Sequence, residues 1–210
     1  MSALDIRSAS LAELEGLMRE IGEPSYRASQ VFSWIHKRYV NSFAEMTDLS
    51  LNLRQRLGER GRFSPVEMAG RSASKADDAT KYLFALENNT IIESVFMRHG
   101  HGATVCVSTQ AGCRMGCKFC ASASEGLQRN LSAGEMCAQV YGAARDAGER
   151  RVSNVVLMGC GEPLDNYGAS LRFIHLLCDA RGFGLSQRSV TLSTCGLVPR
   201  IYALAEERLP

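Results

Sequence analysis

Apolar residues recur at helical spacing through the N-terminal part of the chain. Leu11, Leu14, Leu17, Met18 and Ile21 fall on one face of a helix. Ser10 and Glu13 before and within its first turn form a capping box, in which the serine oxygen takes a free backbone N–H and the glutamate reaches back. Gly22 closes that helix. Pro24-Ser25 opens a second, with Val31, Trp34, Ile35 and Arg38 along one side, and Ser50 opens a third, with Leu53 and Leu57 one turn apart. Three short helices with short links can close a small core. Residues 1–75 are therefore expected to form a helical accessory domain.

The period then changes. Arg71 to Asp78 reads as a polar linker. Lys81–Glu87 and Thr90–Met97 are strand-like runs, and Asn88-Asn89 between them suits the left-handed turn of a hairpin. Residues 76–102 are thus expected to be linker and hairpin. Glu93 stands inside the second run between Ile92 and Val95; such an acid ordinarily faces water, and turned inward it becomes a candidate base.

From Ala103 strands and helices alternate. Ala103–Ser108 is a strand, Ser132 and Glu135 form a second capping box opening a helix, and Asn154–Met158 is the apolar run of a strand buried on both faces. A helix carries Leu171, Ile174, His175 and Cys178 at helical spacing, with His175 a core or flank residue. Ser189–Ser193 is a third strand, and Pro199 begins a helix expected to reach the chain end. Three consecutive β-α units imply parallel strands with right-handed crossovers. The predicted fold class is α/β: residues 103–210 form a partial parallel (β/α) barrel. In such folds ligands gather at the carboxyl ends of the strands. The chemistry-bearing motifs Cys113–Cys120, Gly161-Glu162 and Ser193 each come directly after a strand.

Composition narrows the function classes. The 210 residues are 45% hydrophobic and 22% charged, as in a globular protein, and the net charge of +2 does not by itself point to nucleic acid. Between Ser50 and Lys75, however, Arg54, Arg56, Arg60, Arg62, Arg71 and Lys75 face only Glu59 and Glu67. That segment is either a solvated face or a phosphate-contacting surface. No run approaches the roughly 18 apolar residues of a membrane span, and Met1–Asp5 lacks signal-peptide features, so a cytoplasmic location without membrane contact is expected. In a reducing compartment eight cysteines do not read as a disulfide framework. Cys137, Cys178 and Cys195 read as small core residues.

Cys113, Cys117 and Cys120 do not. Three soft thiolates on one loop can converge on a metal centre, either a zinc whose fourth ligand lies elsewhere or an iron–sulfur cluster with one open position. Phe119 just before the last cysteine favours the cluster. Gly159 and Gly161 suit either close approach to a ligand or a tight strand-to-helix turn, and Glu162 can accept hydrogen bonds from an amine or ribose. Ser193 could serve the same ligand.

These motifs, taken together, resemble one family. Cys106 to Cys113 (CVSTQAGC), Cys117, Cys120 and Arg129-Asn-Leu131 look like the radical S-adenosylmethionine adenine methyltransferases of ribosomal RNA and tRNA (RlmN/Cfr type). So do Val156–Leu164, Gly182–Ser186 and Val190–Thr194, and the segments Gly22–Val31 and Glu45–Leu49 are similar to that family's helical accessory domain. The resemblance implies a 4Fe–4S cluster on Cys113, Cys117 and Cys120, with S-adenosylmethionine on the open iron and contacted by Gly161, Glu162 and Ser193. It implies methylation of an adenine ring carbon, C2 with C8 as the alternative, in 23S rRNA, with or without tRNA as a second substrate. A methyl-cysteine and a transient protein–RNA adduct carry the reaction, Cys106 resolves the adduct through a disulfide, and Glu93 is the proton acceptor. A flavodoxin-like electron donor and a monomeric state complete the expectation. Two departures stand out. Cys160 replaces the methionine expected between the two glycines, and the chain stops at Pro210, after the third β-α unit. The family's methyl-carrying cysteine has no match here, so the chain is expected to be a truncated member, the alternative being an inactive fragment that binds cluster, cofactor or RNA only.

Overall fold

The computed structural model describes residues 3–100, 102–124, 126–149, 152–207 and 209. The chain begins with the short strand β1 (Leu4–Asp5), α1 (Leu11–Glu20), α2 (Tyr26–Arg38), α3 (Leu51–Arg60) and β2 (Gly61–Arg62), which pairs in parallel with β1. The capping box of α1 forms as the sequence implies, and Ser50 caps α3 by accepting from Leu53 N–H. Leu11, Leu14, Leu17 and Met18 of α1 pack with Val31, Phe32, Trp34 and Ile35 of α2 and with Leu53 and Leu57 of α3, all buried. Burying each such side chain contributes about 1.5–3 kcal/mol.

Next come β3 (Val66–Ala73), β4 (Ala79–Leu86), β5 (Ile91–His99) and β6 (Gly102–Cys106). The hairpin joining β4 to β5 turns through Asn88 and Asn89, both left-handed at φ 65° and 59°, as their identity predicts. Strand β3 was not expected: part of the supposed linker from Arg71 is an edge strand paired with β4, with its register shifting between Met68 and Gly70. Its polarity is that of an edge strand exposed along most of its length, which periodicity cannot tell from a loop.

The remainder consists of β7 (Gln110–Gly112), β8 (Leu127–Asn130), α4 (Ala133–Asp146), β9 (Asn154–Leu157), α5 (Tyr167–Cys178), β10 (Val190–Leu192) and α6 (Val198–Glu206). One six-stranded sheet runs in the order β10-β9-β6-β5-β4-β3. The pairs β10/β9 and β9/β6 are parallel, giving the partial (β/α) barrel; β6/β5, β5/β4 and β4/β3 are antiparallel. In register, Cys106 opposes Val95 on one side and Val156 on the other. Strand β6 stops at Cys106 rather than Ser108, because the chain leaves the sheet to form the separate two-stranded β7-β8 clasp. Pro199 lies in the first turn of α6 as expected, but the helix ends at Glu206.

Helical module and sheet share one core. The rings of Tyr39, Tyr141 and Phe183 stack at the junction, and His36 Nδ1 lies 2.6 Å from the Tyr141 hydroxyl. Ser8 Oγ accepts from the Gly134 N–H at 2.7 Å, and Arg172 pairs with Glu13 at 2.6 Å. Among the described residues no helix is long and apolar enough to cross a membrane.

Candidate metal and cofactor site

The β7-β8 clasp holds the cysteine loop at its base. Gly112, at φ +70°, sits where an added Cβ would collide with the Gly126 carbonyl oxygen, so the clasp closes only around glycine. Cys113 N–H donates to that same carbonyl at 3.0 Å. Beyond it Cys113 is buried, Cys117 half-buried and Cys120 exposed, and the ring of Phe119 is 95% exposed.

The ends of β6, β9 and β10 converge. A cavity of about 280 Å³ is lined by Cys113, Cys117 and Cys120, by Gly161 and Glu162 after β9, and by Ser193 and Cys195 after β10. Burial pushes the Cys113 thiol up, and the neighbouring Cys120 and Cys117 add to it, while the Met115 backbone opposes them. All eight cysteines are free thiols. Among the described residues no three His, Cys, Asp or Glu side chains are gathered tightly enough to hold an ion as they stand. The donor set nevertheless suits an iron–sulfur centre: three soft thiols on one loop, facing one cavity beside an open position.

Glu162 is almost fully buried, 3% exposed, and both its oxygens are held. Oε1 accepts from Leu164 N–H at 2.9 Å and Oε2 from Cys195 N–H at 2.7 Å. Its own N–H donates to Gln110 Oε1 at 2.8 Å. Gly161, at φ +102°, packs so closely that a Cβ would lie 2.6 Å from the Gln110 Cβ and 2.7 Å from Thr109 Oγ1. The atoms crowding it are protein atoms, which supports the tight-turn reading of this glycine. Ser193 sits just past β10, its N–H donating to Leu157 O at 3.3 Å.

Glu93 and Cys106 lie beside this cavity rather than in it. Glu93 faces solvent, as an acid in such a strand ordinarily does, and pairs with Lys81 at 2.6 Å. It lines an adjacent cavity of about 290 Å³ with Ser122 and Cys160. Since Val95 opposes Cys106, Glu93, two residues away, shares the sheet face of Cys106. Burial pushes the half-buried Cys106 thiol up; the Met158 backbone opposes this and Cys160 adds to it. His175 is an exposed flank residue of α5. Cys195 corrects the expectation of a small core residue: it is exposed at the lip of the cavity that the three loop cysteines line, because the strand before it has already ended.

Several residues that hold the site were given no role by the sequence, Gln110 among them although it lies inside the Cys106–Cys113 motif. Gln110, fully buried, donates through Nε2 to Asn130 Oδ1 and Asp165 Oδ2, both at 2.8 Å. Asp165 also pairs with Arg114 of the cysteine loop, which donates through both Nε and Nη2. Gln139 of α4 takes the place of a strand partner for Ser108, accepting from its N–H at 2.8 Å and donating to its carbonyl at 2.9 Å. Asn166 Nδ2 donates to Thr109 O and Leu131 O. A polar side chain next to glycines and cysteines was the available signal, but such residues also fit exposed loops. In the basic N-terminal segment, Arg56 pairs with Glu23, Arg62 with Glu87 and Arg71 with Asp146. Acids from elsewhere in the chain offset much of its positive charge.

Residues 4–62 match the family model described as the ribosomal RNA large subunit methyltransferase N-terminal domain. Over 206 residues the chain is 51% identical to a probable dual-specificity RNA methyltransferase RlmN of Pelotomaculum thermopropionicum, covering 98% of this chain and 56% of that protein. It is 46% identical over 210 residues to the protein of the same description from Alkaliphilus oremlandii, covering 100% of this chain and 61% of the relative. The crystal structure of a radical SAM methyltransferase from Sphaerobacter thermophilus superposes with a TM-score of 0.91 at 40% identity, covering 98% of this chain and 61% of that one. The resemblance read from the motifs is borne out along the whole chain, which spans somewhat over half the length of these relatives.

Proposed function

We propose that this chain, similar throughout to RlmN-type radical SAM methyltransferases, carries the cluster- and cofactor-binding part of an enzyme that methylates an adenine ring carbon of RNA. The observation that supports this reading most is the single cavity bounded by Cys113, Cys117, Cys120, Gly161, Glu162 and Ser193. Cys113, Cys117 and Cys120 would hold a 4Fe–4S cluster as thiolates. Gly161, Glu162 and Ser193 would hold S-adenosylmethionine, the carboxylate of Glu162 receiving its ammonium group. When bound, the reduced cluster supplies the electron that turns S-adenosylmethionine into a source of a hydrogen-abstracting carbon radical. Such chemistry suits adenine C2, the favoured target with C8 as alternative, because an electrophilic ring carbon resists polar methyl transfer.

The chain's own residues then orient and accept. The buried turn Gly161-Glu162 fixes the cofactor's amine end, while the buried Cys113 shields that side of the cavity from water. Glu93 would accept the proton at its carboxylate, and Cys106, on the same sheet face, would attack the sulfur that joins the RNA to the family's methyl-carrying cysteine, a residue with no match here, so that an S–S bond forms as the S–C bond to the RNA breaks. Residues 1–75, the N-terminal helices together with the edge strand β3, contact RNA; Arg60 and Lys75 have no ion-pair partner among the described residues and are available to phosphates. Ribosomal RNA, with tRNA as a second substrate, a flavodoxin-like electron donor, a monomeric state and a cytoplasmic setting belong to the same reading.

Anaerobic reconstitution with iron and sulfide should give a brown chromophore near ~400 nm, retained with S-adenosylmethionine and lost in Cys113→Ala. A colourless protein that binds one zinc instead would sink the reading. A second reading, binding without turnover, is supported by the open edge of the sheet. Among the described residues β10 is paired on one side only, beside the exposed Val198, Ile201 and Tyr202 of α6. Finding methylated adenine in RNA incubated with the reconstituted protein, a reductant and S-adenosylmethionine would exclude it.

A further inference from the structure

The geometry points to Gln110 as the positioning residue that sets the cysteine loop against Glu162, and so determines how tightly the proposed cofactor site closes; this rests on the cofactor reading above. Three hydrogen bonds carry the inference. Gln110 is 0% exposed, and its side chain joins three segments: the turn after β9, the end of β8 and the approach to α5. Its Oε1 accepts from Glu162 N–H at 2.8 Å, at the residue proposed to receive the ammonium group. Its Nε2 donates at 2.8 Å to Asn130 of the clasp that closes the cysteine loop. The same Nε2 donates at 2.8 Å to Asp165, which in turn grips Arg114, the residue directly after Cys113.

An amide is required by the arrangement. One end must accept and the other must donate, and no other side chain of this length offers both in fixed positions. The side chain itself never reaches the cavity wall, so its effect on the ligand is exerted through Glu162 and Arg114. Residues that orient ligand-holding groups in this way matter nearly as much to affinity as the groups themselves.

The test uses the 210-residue chain, reconstituted anaerobically, with S-adenosylmethionine titrated against the electron paramagnetic resonance spectrum of the reduced cluster. In Gln110→Leu, iron and sulfide loading should persist while the S-adenosylmethionine concentration at half-response rises about tenfold. Gln110→Glu should be weakened similarly, since its second oxygen opposes Asp165. Adding Asp165→Asn to Gln110→Glu restores that donor–acceptor pair but leaves Arg114 one neutral acceptor in place of a carboxylate, so it should recover part of the affinity, which a merely structural role would not produce. An unchanged half-response in Gln110→Leu, or no recovery in the double variant, overturns the inference. A wild-type cluster whose spectrum ignores S-adenosylmethionine overturns the cofactor reading itself, and this inference with it.

Discussion

Glu162 Oε2 receives the backbone N–H of Cys195 at 2.7 Å, tying the turn after β9 to the turn after β10. Both oxygens of this carboxylate are engaged by backbone donors, and the residue is almost wholly buried. In Glu162→Gln an amide NH₂ must face one of those N–H groups. The variant should lose about 1–3 kcal/mol of stability, the usual cost of a buried donor left without an acceptor. Urea unfolding checks this; an unchanged midpoint would mean that the two turns move independently.

Gly112 and Gly116 share a left-handed backbone, at φ +70° and +67°, but differ in surroundings. A methyl group at Gly112 meets the Gly126 carbonyl, whereas one at Gly116 meets open space. Gly116→Ala should cost about 1 kcal/mol from backbone strain alone. Gly112→Ala should cost clearly more and reduce cluster loading. Thermal melting of the two variants side by side decides; equal losses would show that strain, not the clasp, dominates.

His36 is fully buried, and burial pushes its pKa from 6.5 down to about 3, with the Arg7 charge adding to the effect. Between those values the unfolded chain binds a proton that the folded chain excludes, so stability falls as pH drops below 6.5. At about pH 5 this single group should remove ~2 kcal/mol relative to neutral pH. His36→Asn should show a shallower loss over the same range. Parallel slopes for wild type and variant would assign acid sensitivity to other groups.

Gln139→Leu should be among the most damaging single changes in α4. It leaves the N–H and carbonyl of fully buried Ser108 without their partner. Each orphaned group costs about 1–3 kcal/mol. Hydrogen exchange at the Ser108 amide should accelerate in step with the loss of stability; a protected amide in the variant would refute the role given to Gln139.

The sequence made the helices and parallel strands legible because their signals are local. Ser10, Ser50 and Ser132 announce helix starts, the Asn88-Asn89 pair announces a turn, and apolar runs mark β6 and β9. It also grouped Cys113, Cys117, Cys120, Gly161, Glu162 and Ser193 on one edge, by the rule that ligands gather after parallel strands. The edge strand β3 was missed because an exposed strand has no inward face to reveal a period. Gln110, Gln139, Asp165 and Asn166 were missed for a different reason. Apart from a bond of Gln139 to Glu135 within α4, their partners are 20 to 57 residues away, and a polar side chain bonded across such distances looks like any loop residue. Cys195 was misplaced inside because a cysteine's average burial says nothing about where a strand ends.

The change from parallel to antiparallel pairing at β6 has a directional consequence. Strands β6, β9 and β10 point the same way, so the loops leaving their carboxyl ends gather around the cavity. Strand β5 runs the other way, and its beginning lies beside the end of β6. The sheet can therefore bring an acid to that rim from the opening residues of a hairpin, where a barrel of parallel strands alone would require a further crossover. Glu93 stands at that place, and its side chain can change without disturbing the turns that hold the thiols.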